Sequence, residues 1–379
     1  MSSLIEGIQI EGINPDKTAA MYYKTESFTS GLGRYGHTNN WEIQRAIEIL
    51  CKRGFTVDLI DRGHDNWAPK KTYDLFLGLG VGNTGRKFVK YSKESKAKKR
   101  ILLAMGPQPD ESNRRVLDRY EMFKRRTGRY APPMRTVSAV TGPAFEEIIE
   151  NTDYIFCIGE ENTESYKSFL GYGIPVLNFY PGISNKVKFD ESWMGTRKRN
   201  HFLCFAGNGL ICKGVDLVVE AFSRTSENVL HICGPPESAF MAQYGDLISS
   251  SENLFYYGFI EPGGQTFNDL ASKCSYTIFH SAAEGCCTSV ATAMRAGLVP
   301  VVNSWTGILI NDGVDGIQLS DTGDLIEEIE NKINYCSELD DEKYKNLVEN
   351  NNDHAIRFSQ EGFTEYYGKC IERVMADLK

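Results

Sequence analysis

Short apolar runs alternate along this chain with longer segments in which apolar residues recur every three to four positions. Residues 39–52 place Ile43, Ile47 and Leu50 on one face of a predicted helix, and residues 55–60 follow as a predicted strand. This alternation is typical of βαβ units, in which helices connect parallel strands. In the first half of the chain the pattern predicts further strands at residues 4–13, 73–79, 100–105, 153–158 and 176–180.

The second half repeats the alternation after a charged stretch at residues 186–200, where we place the domain boundary. Two βαβ halves of similar size predict an α/β protein with two Rossmann-like domains that face a central cleft. Ligands of such sheets bind at the carboxyl ends of the strands. The pattern predicts strands at residues 201–206, 229–233, 254–257, 276–280 and 299–303, and helices at residues 215–223, 267–273 and 289–296.

The length of 379 residues agrees with two domains, since single hydrophobic cores stop growing near about 250 to 300 residues. Hydrophobic residues make up 41% of the chain and charged residues 24%, which excludes disordered, fibrous and membrane-spanning classes. The first residues lack the basic and apolar regions of a secretory leader, so we expect a cytoplasmic protein. The ten cysteines show no C-x-x-C spacing, so they predict buried thiols and neither a metal site nor disulfides.

Charge is distributed unevenly along the chain. The formal net charge is −8, but residues 86–135 carry +11 and the remainder carries −19. This asymmetry indicates an anionic partner for one face, namely phosphate, nucleic acid or an acidic membrane, and a solvated helix face explains it equally well. Nucleic acid is disfavoured because no aromatic-rich recognition module accompanies the charges. Phe88 and Tyr91 lie among lysines at i, i+3 spacing, which predicts weak, salt-sensitive contact of residues 86–135 with the inner face of an anionic membrane.

A glycine motif, G-x-G-x-x-G, lies between a predicted strand and a basic segment, at residues 80–85. Its position suits a dinucleotide-binding fingerprint, which would make the chain an NAD-dependent enzyme. The next predicted strand, residues 101–105, has no acidic residue at its end to bind a ribose. A simple turn is therefore the better interpretation.

A second glycine-rich loop follows the predicted strand at residues 201–206. Gly207 and Gly209 allow backbone N–H groups to approach an anion, and Lys213 adds a point charge suited to phosphate. The loop is not a P-loop, because Gly214 stands where Ser or Thr should follow the lysine. By itself this loop is a weak indication of a phosphate site.

A third loop, between the predicted strand at residues 276–280 and a helix, carries one carboxylate. Thr288 and Ser289 begin the helix, where free N–H groups form an anion site. Glu284 lies beside them, where a carboxylate repels phosphate but accepts hydrogen bonds from sugar hydroxyls. The alternative is that Glu284 caps the helix.

The order of these segments along the chain resembles that of the GT-B glycosyltransferases of family 4, also called group 1. The C-terminal half carries the similarity most closely, at residues 213–222, 232–235, 257–260, 280–285 and 294–302. The resemblance implies an N-terminal acceptor-side domain at residues 1–190 and a nucleotide-sugar-binding domain at residues 191–360. It further implies a C-terminal helix, within residues 361–379, that packs back on the first domain.

The resemblance also implies roles for individual residues. Lys213 would bind the diphosphate of a nucleotide sugar, and Glu284 would contact the sugar. Asn208 stands where the family has an arginine, and Thr292 replaces the second glutamate of the E-x7-E motif, which holds the ribose. The lost arginine contact is worth about 1.5 to 3 kcal/mol, whereas Asn208 still donates a neutral hydrogen bond. The other implied donor-binding residues are Gly33, Gly207, Gly209, Gly234, Ile260, Gly285, Thr288 and Ser289.

The resemblance implies transfer of a sugar from a nucleotide diphosphate sugar to a hydroxyl of a carbohydrate or lipid-linked acceptor, in polysaccharide or glycoconjugate synthesis. The chemistry would be retaining and independent of metal and cofactor, and no Asp-x-Asp signature occurs in the sequence. Lys213 and helix N–H groups would then stabilise the leaving diphosphate. His37 is an acceptor-side candidate. The alternative is a catalytically inactive partner subunit that binds nucleotide sugars.

Overall fold

The structure of the protein, a computed structural model, divides into two compact units. The first contains Met1–Glu111, Ser138–Gly182 and Gln360–Lys379, and the second contains Ser112–Val137 and Ile183–Ser359. Each unit is built around its own largely parallel sheet, so the predicted α/β class is confirmed. The residues described here are 4–29, 38–80, 84–134, 137–170 and 173–378.

The first unit contains a seven-stranded sheet in the order β1-β3-β2-β4-β5-β6-β7. Its strands are β1 (Leu4–Ile8), β2 (Lys17–Tyr23), β3 (Phe55–Asp61), β4 (Leu75–Leu79), β5 (Lys99–Ala104), β6 (Tyr154–Ile158) and β7 (Val176–Phe179). The helices placed in this unit are α1 (Glu26–Thr29), α2 (Thr38–Lys52), α3 (Gly85–Glu94), α5 (Pro143–Glu150), α6 (Glu160–Leu170) and α13 (Gln360–Ala376), while α4 (Pro109–Thr127) leads out of it.

The predicted opening strand at residues 4–13 is only half right. Its first part is β1, an edge strand that pairs antiparallel with β3. The sequence pattern missed β2, which lies between β3 and β4 and pairs parallel with both. Ala19, Ala20, Met21 and Tyr22 of β2 are all at most 1% exposed. Since both faces of β2 are covered, its sequence lacks the alternation that marks a half-exposed strand.

Helix α3 carries much of the basic segment, and its aromatic residues point into the protein. Phe88 and Tyr91 are fully buried, and the Tyr91 hydroxyl donates a hydrogen bond to the His64 carbonyl oxygen at 2.7 Å. The predicted surface-lying amphipathic segment is therefore wrong, because its apolar side chains already fill the core of the first unit.

The second unit contains a parallel six-stranded sheet in the order β10-β9-β8-β11-β12-β13. Its strands are β8 (Lys198–Phe205), β9 (Val229–Cys233), β10 (Leu254–Tyr256), β11 (Cys274–Phe279), β12 (Val299–Asn303) and β13 (Ile317–Leu319). Its helices are α7 (Val215–Phe222), α8 (Ser238–Ser250), α9 (Gln265–Lys273), α10 (Thr288–Arg295), α11 (Leu325–Glu338) and α12 (Asp341–Ala355).

The predicted first domain, residues 1–190, includes α4, whereas most of this helix groups with the second unit. From Ser112 onward it groups with the second unit, where Arg126 forms ion pairs with Asp216 and Glu220 of α7. Part of the positive excess in residues 86–135 is thus balanced within the protein. Helix α13 belongs to the first unit, where it contacts α2 and β7.

Two further sequence expectations concern cysteines and membrane spans. All ten cysteines are buried, as their spacing and composition predicted. In the described part of the chain, no helix combines the length and the apolar character that crossing a bilayer requires.

Candidate functional site

Most of the predicted site residues follow three adjacent strands of the second sheet. Strand β8 pairs with β9 on one side and with β11 on the other. The carboxyl ends of parallel strands meet at one edge of a sheet, where ligands of such folds bind. The residues that follow these strands are Gly207, Asn208, Gly209 and Lys213 after β8, Gly234 after β9, and Glu284 and Gly285 after β11.

Lys213 and Glu284 form an ion pair at this edge. The Lys213 Nζ lies 2.5 Å from Glu284 Oε1, and the two side chains are only 6% and 10% exposed. The Glu284 N–H donates to the Trp305 carbonyl oxygen at 2.9 Å, which holds the loop in place. Helix α10 has Cys287 at its N-cap position, and the Cys287 side chain makes no capping hydrogen bond. The Glu284 carboxylate therefore faces the Lys213 ammonium.

Gly214 permits the sharp turn that brings Lys213 to this place. Its φ is +69°, a left-handed conformation that favours glycine. A Cβ atom at Gly214 would lie 2.2 Å from the His280 carbonyl oxygen. A hydrogen bond of 2.8 Å from the Ala282 N–H to the Cys212 carbonyl oxygen joins the two loops. Glycine is thus required where the lysine loop and the glutamate loop meet.

Thr288, Ser289 and Thr292 lie on α10. Thr288 and Ser289 form its first turn, whose N–H groups have no partner within an α-helix. Thr292 is 4% exposed, and its hydroxyl donates to the Thr288 carbonyl oxygen at 2.6 Å. In this conformation the hydroxyl proton of Thr292 bonds to its own helix.

Gly234 directly follows β9, and Ile260 lies in the loop that follows β10. Gly234 has a φ of +151°, and a Cβ atom there would lie 2.9 Å from the Ala206 carbonyl oxygen, at the end of β8. The Gly234 N–H donates to the Gly258 carbonyl oxygen at 2.7 Å, and Ile260 is buried. The loops that follow β8, β9 and β10 therefore pack closely at this edge.

The family of this domain is given by comparison with known proteins. Residues 190–354, which contain the Lys213–Glu284 pair, match the model of the family described as "Glycosyl transferases group 1". The match covers less than half of the chain. A comparison with curated protein sequences gave no match.

Solved structures are similar to this chain in fold. Sucrose-phosphate synthase from Thermosynechococcus elongatus gives a TM-score of 0.65 at 11% identity, over 95% of this chain and 100% of that one. Anabaena HepE, in complex with UDP and glucose, gives a TM-score of 0.61 at 14% identity, also over 95% of this chain and 100% of that one. The pneumococcal O-GlcNAc transferase GtfA, in complex with UDP and GlcNAc, gives 0.57 at 12% identity over 79% of this chain. The chain spans 57% of the length of GtfA. The predicted GT-B fold is confirmed.

Asn208 and Thr292 stand where the pattern of the resembled family has an arginine and a glutamate. Asn208 is exposed, in a loop with Gly207 and Gly209, and Thr292 bonds within α10 as described. Gly33 and His37 lie outside the described residues. The roles of the predicted donor-binding residues stay predictions.

Two glycines of the G-x-G-x-x-G motif at residues 80–85 are described, Gly80 and Gly85, and both pack against the core of the first unit. A Cβ atom at Gly80 would lie 2.3 Å from the Leu102 side chain, and one at Gly85 would lie 2.6 Å from both the Gly80 carbonyl oxygen and the Ile148 side chain. These glycines allow α3 to approach the sheet closely, which agrees with the interpretation of the motif as a turn.

Sequence reasoning missed two buried charged residues beside the site. Arg119 of α4 is 2% exposed, and Glu237, at the N-cap of α8, is 3% exposed. Burial raises the pKa of Glu237, whose Oε2 accepts from the Ile211 N–H at 3.0 Å. Glu237 had a local signal, since it follows Gly-Pro-Pro directly after β9. Arg119 had none, because it is one of sixteen basic residues in the window at residues 86–135.

The first unit contains a strongly perturbed carboxyl group in an apolar pocket. Glu42 of α2 is 4% exposed, beside Tyr23, Phe179 and Phe363. Burial raises its pKa to about 7, although the Gly182 N–H donates to Oε1 at 3.0 Å. Glu42 therefore titrates near neutral pH in the folded protein.

Proposed function

We propose that this glycosyltransferase transfers a sugar from a nucleotide diphosphate sugar to an acceptor hydroxyl. The observation that carries the proposal is the Lys213–Glu284 pair, one cation and one carboxylate brought together at the carboxyl edge of the sheet in the family's domain. HepE and GtfA, which share the fold, form complexes with UDP.

The two charged groups suit the two parts of such a donor. The Lys213 ammonium would neutralise charge that develops on the leaving diphosphate, together with N–H groups in the first turn of α10. The Glu284 carboxylate would accept hydrogen bonds from hydroxyls of the donor sugar. Because Lys213 already pairs with Glu284, we propose that the diphosphate takes over the ammonium and leaves the carboxylate to the sugar.

Donor binding can be tested without knowledge of the acceptor. We expect one class among UDP-, GDP- and ADP-sugars to raise the melting temperature of the protein and to be hydrolysed slowly to the nucleoside diphosphate. Lys213→Met should abolish both effects. Lys343→Met is the matched control, since Lys343 is 70% exposed on α12 and should change neither. Unaltered donor binding by Lys213→Met would overturn the assignment of Lys213.

A second function, an inactive partner subunit that binds nucleotide sugars, is favoured by Asn208 and Thr292. These residues replace an arginine and a carboxylate of the family pattern, and the Thr292 hydroxyl proton bonds within its own helix. Stabilisation by a nucleotide sugar, with no nucleoside diphosphate released in the presence of any acceptor, would favour this function over catalysis.

The finer features of the reaction are proposals as well. We propose retaining stereochemistry, independence of metal and cofactor, and a carbohydrate or lipid-linked acceptor in polysaccharide or glycoconjugate synthesis. Turnover that persists in excess EDTA would support metal independence, and NMR of the anomeric proton of the product would report the stereochemistry. We do not extend the proposal to a membrane surface, because Phe88 and Tyr91 are buried.

A further inference from the structure

One face of α4 contacts the loops that hold Lys213 and Glu284. The Arg115 guanidinium carbon lies 4.6 Å from the ring centre of Trp305, whose carbonyl oxygen accepts from the Glu284 N–H. The Tyr120 hydroxyl donates to Glu237 at 3.2 Å, and Glu237 in turn accepts from Ile211 in the lysine loop. Arg119 lies one helical turn after Arg115 and directly before Tyr120.

Arg119 bonds to a single residue at two points. Its Nη1 donates to the His280 carbonyl oxygen at 2.6 Å, and its Nη2 donates to His280 Nδ1 at 2.8 Å. The opposite ring nitrogen, Nε2, lies 2.8 Å from the Ser320 carbonyl oxygen, so it must carry the proton. Burial, followed by the charge of Arg119, lowers the pKa of His280 to about 3. The imidazole is thus held as one neutral tautomer.

His280 directly follows β11 and begins the loop that leads to Glu284. Its carbonyl oxygen, which accepts a hydrogen bond from Arg119, is also the atom with which a side chain at Gly214 would clash. The Arg119 Nη1 would lie 2.5 Å from a Cβ atom at Gly214. The guanidinium therefore lies between the lysine turn and the start of the glutamate loop, and both acceptors that it bonds are uncharged.

We propose that Arg119 is a positioning residue for the donor diphosphate, acting through His280 and the Lys213–Gly214 turn. The buried guanidinium fixes both loops in register and places a permanent positive charge behind the lysine, in a protein whose loop carries Asn208 in place of the family's arginine. The inference rests on the proposed function in so far as Lys213 is taken to bind a diphosphate.

The test uses inorganic pyrophosphate as the probe and the full chain as the protein. Arg119→Met should raise the dissociation constant for pyrophosphate, measured by isothermal titration calorimetry, by about 10- to 100-fold, because the lysine turn and the glutamate loop lose the side chain that holds them together. With a nucleotide-sugar donor, the same variant should raise KM more than it lowers kcat. Arg119→Lys, which keeps the charge but not the two-point contact, should recover part of the affinity.

Arg126→Met is the matched control. Arg126 lies on the same helix and its ion pairs with Asp216 and Glu220 are partly buried, but these partners are on α7 and not in the two loops. The control should lower the melting temperature while leaving the pyrophosphate constant within about twofold. Pyrophosphate binding that is weakened equally in both variants, or that is not weakened in Arg119→Met, would overturn the inference. Wild-type protein that binds pyrophosphate through Lys213 but no nucleotide sugar would refute only the proposed function.

Discussion

Replacing Lys213 by methionine should destabilise the second unit as well as abolish donor binding. Lys213 and Glu284 are nearly buried, and their charged atoms lie 2.5 Å apart. At an effective dielectric constant of about 20, charges at this separation attract by about 7 kcal/mol. Desolvation of both groups offsets much of that attraction, and removing one partner of a buried pair typically costs about 3 to 5 kcal/mol. We expect a loss of about 3 kcal/mol for Lys213→Met, because Glu284 then remains buried without its cation.

Scanning calorimetry at pH 7 without donor measures this loss. For a unit of about 200 residues, 3 kcal/mol lowers the melting temperature by roughly 6 to 12 °C. The exposed control Lys343→Met should shift it by less than about 2 °C. The double variant Lys213→Met/Glu284→Gln should recover at least half of the loss, since neither charge is then left unpaired.

The double variant also tests whether Lys213 and Glu284 interact in solution. If Lys213 and Glu284 act as a pair, their effects on the free energy of unfolding are strongly non-additive. Losses that add to within about 0.5 kcal/mol would show that the two residues do not interact in solution, and the ion pair could not then be the resting state of the donor site.

Three further changes test other features of the molecule. Glu42→Gln should remove a pH dependence of stability. The folded protein keeps the Glu42 proton up to about pH 7, whereas the unfolded chain releases it near pH 4.5, so the wild-type free energy of unfolding falls by up to about 3 kcal/mol as the pH rises through this range. Urea titrations of both proteins across that range measure the difference. Gly214→Ala should lower the melting temperature and the donor affinity together, because its Cβ atom would meet the His280 carbonyl oxygen; unchanged calorimetry would contradict the close approach. Asn208→Arg should lower the KM for the donor by about tenfold or more, since it adds a charge-assisted contact, and an unchanged KM would show that Asn208 lies away from the diphosphate.

Local patterns in the sequence predicted many, but not all, of the elements. Strands β9 and β12 lie at the predicted residues 229–233 and 299–303, because short runs rich in β-branched and other apolar residues bounded by polar positions indicate buried strands. Strand β2 was missed, since its buried residues include two alanines and two tyrosines in a run without alternation. Long polar helices such as α4 were missed for a different reason, as their many charged residues conceal a narrow apolar face.

The candidate site was predictable at the positions that carry a local motif. The order of the segments around Lys213 and Glu284 indicated both residues and the edge of the sheet where they lie. Arg119 could not be found in this way, because the residues it contacts, His280 and Gly214, are about 100 or more positions away along the chain. Its place beside them depends on the path of α4, which local patterning does not encode.

By itself the sequence determined the alternation of strands and helices, the division into two sheets, and the loops that bear Lys213 and Glu284. These features depend on local spacing, on where apolar residues recur and where glycine permits a turn. Only the tertiary structure decided that α4 groups with the second unit, that Phe88 and Tyr91 face a core, and that Lys213 pairs with Glu284. Each of these depends on which distant surface covers a residue, and burial, which sets whether a charge must be paired, is a property of the assembled fold.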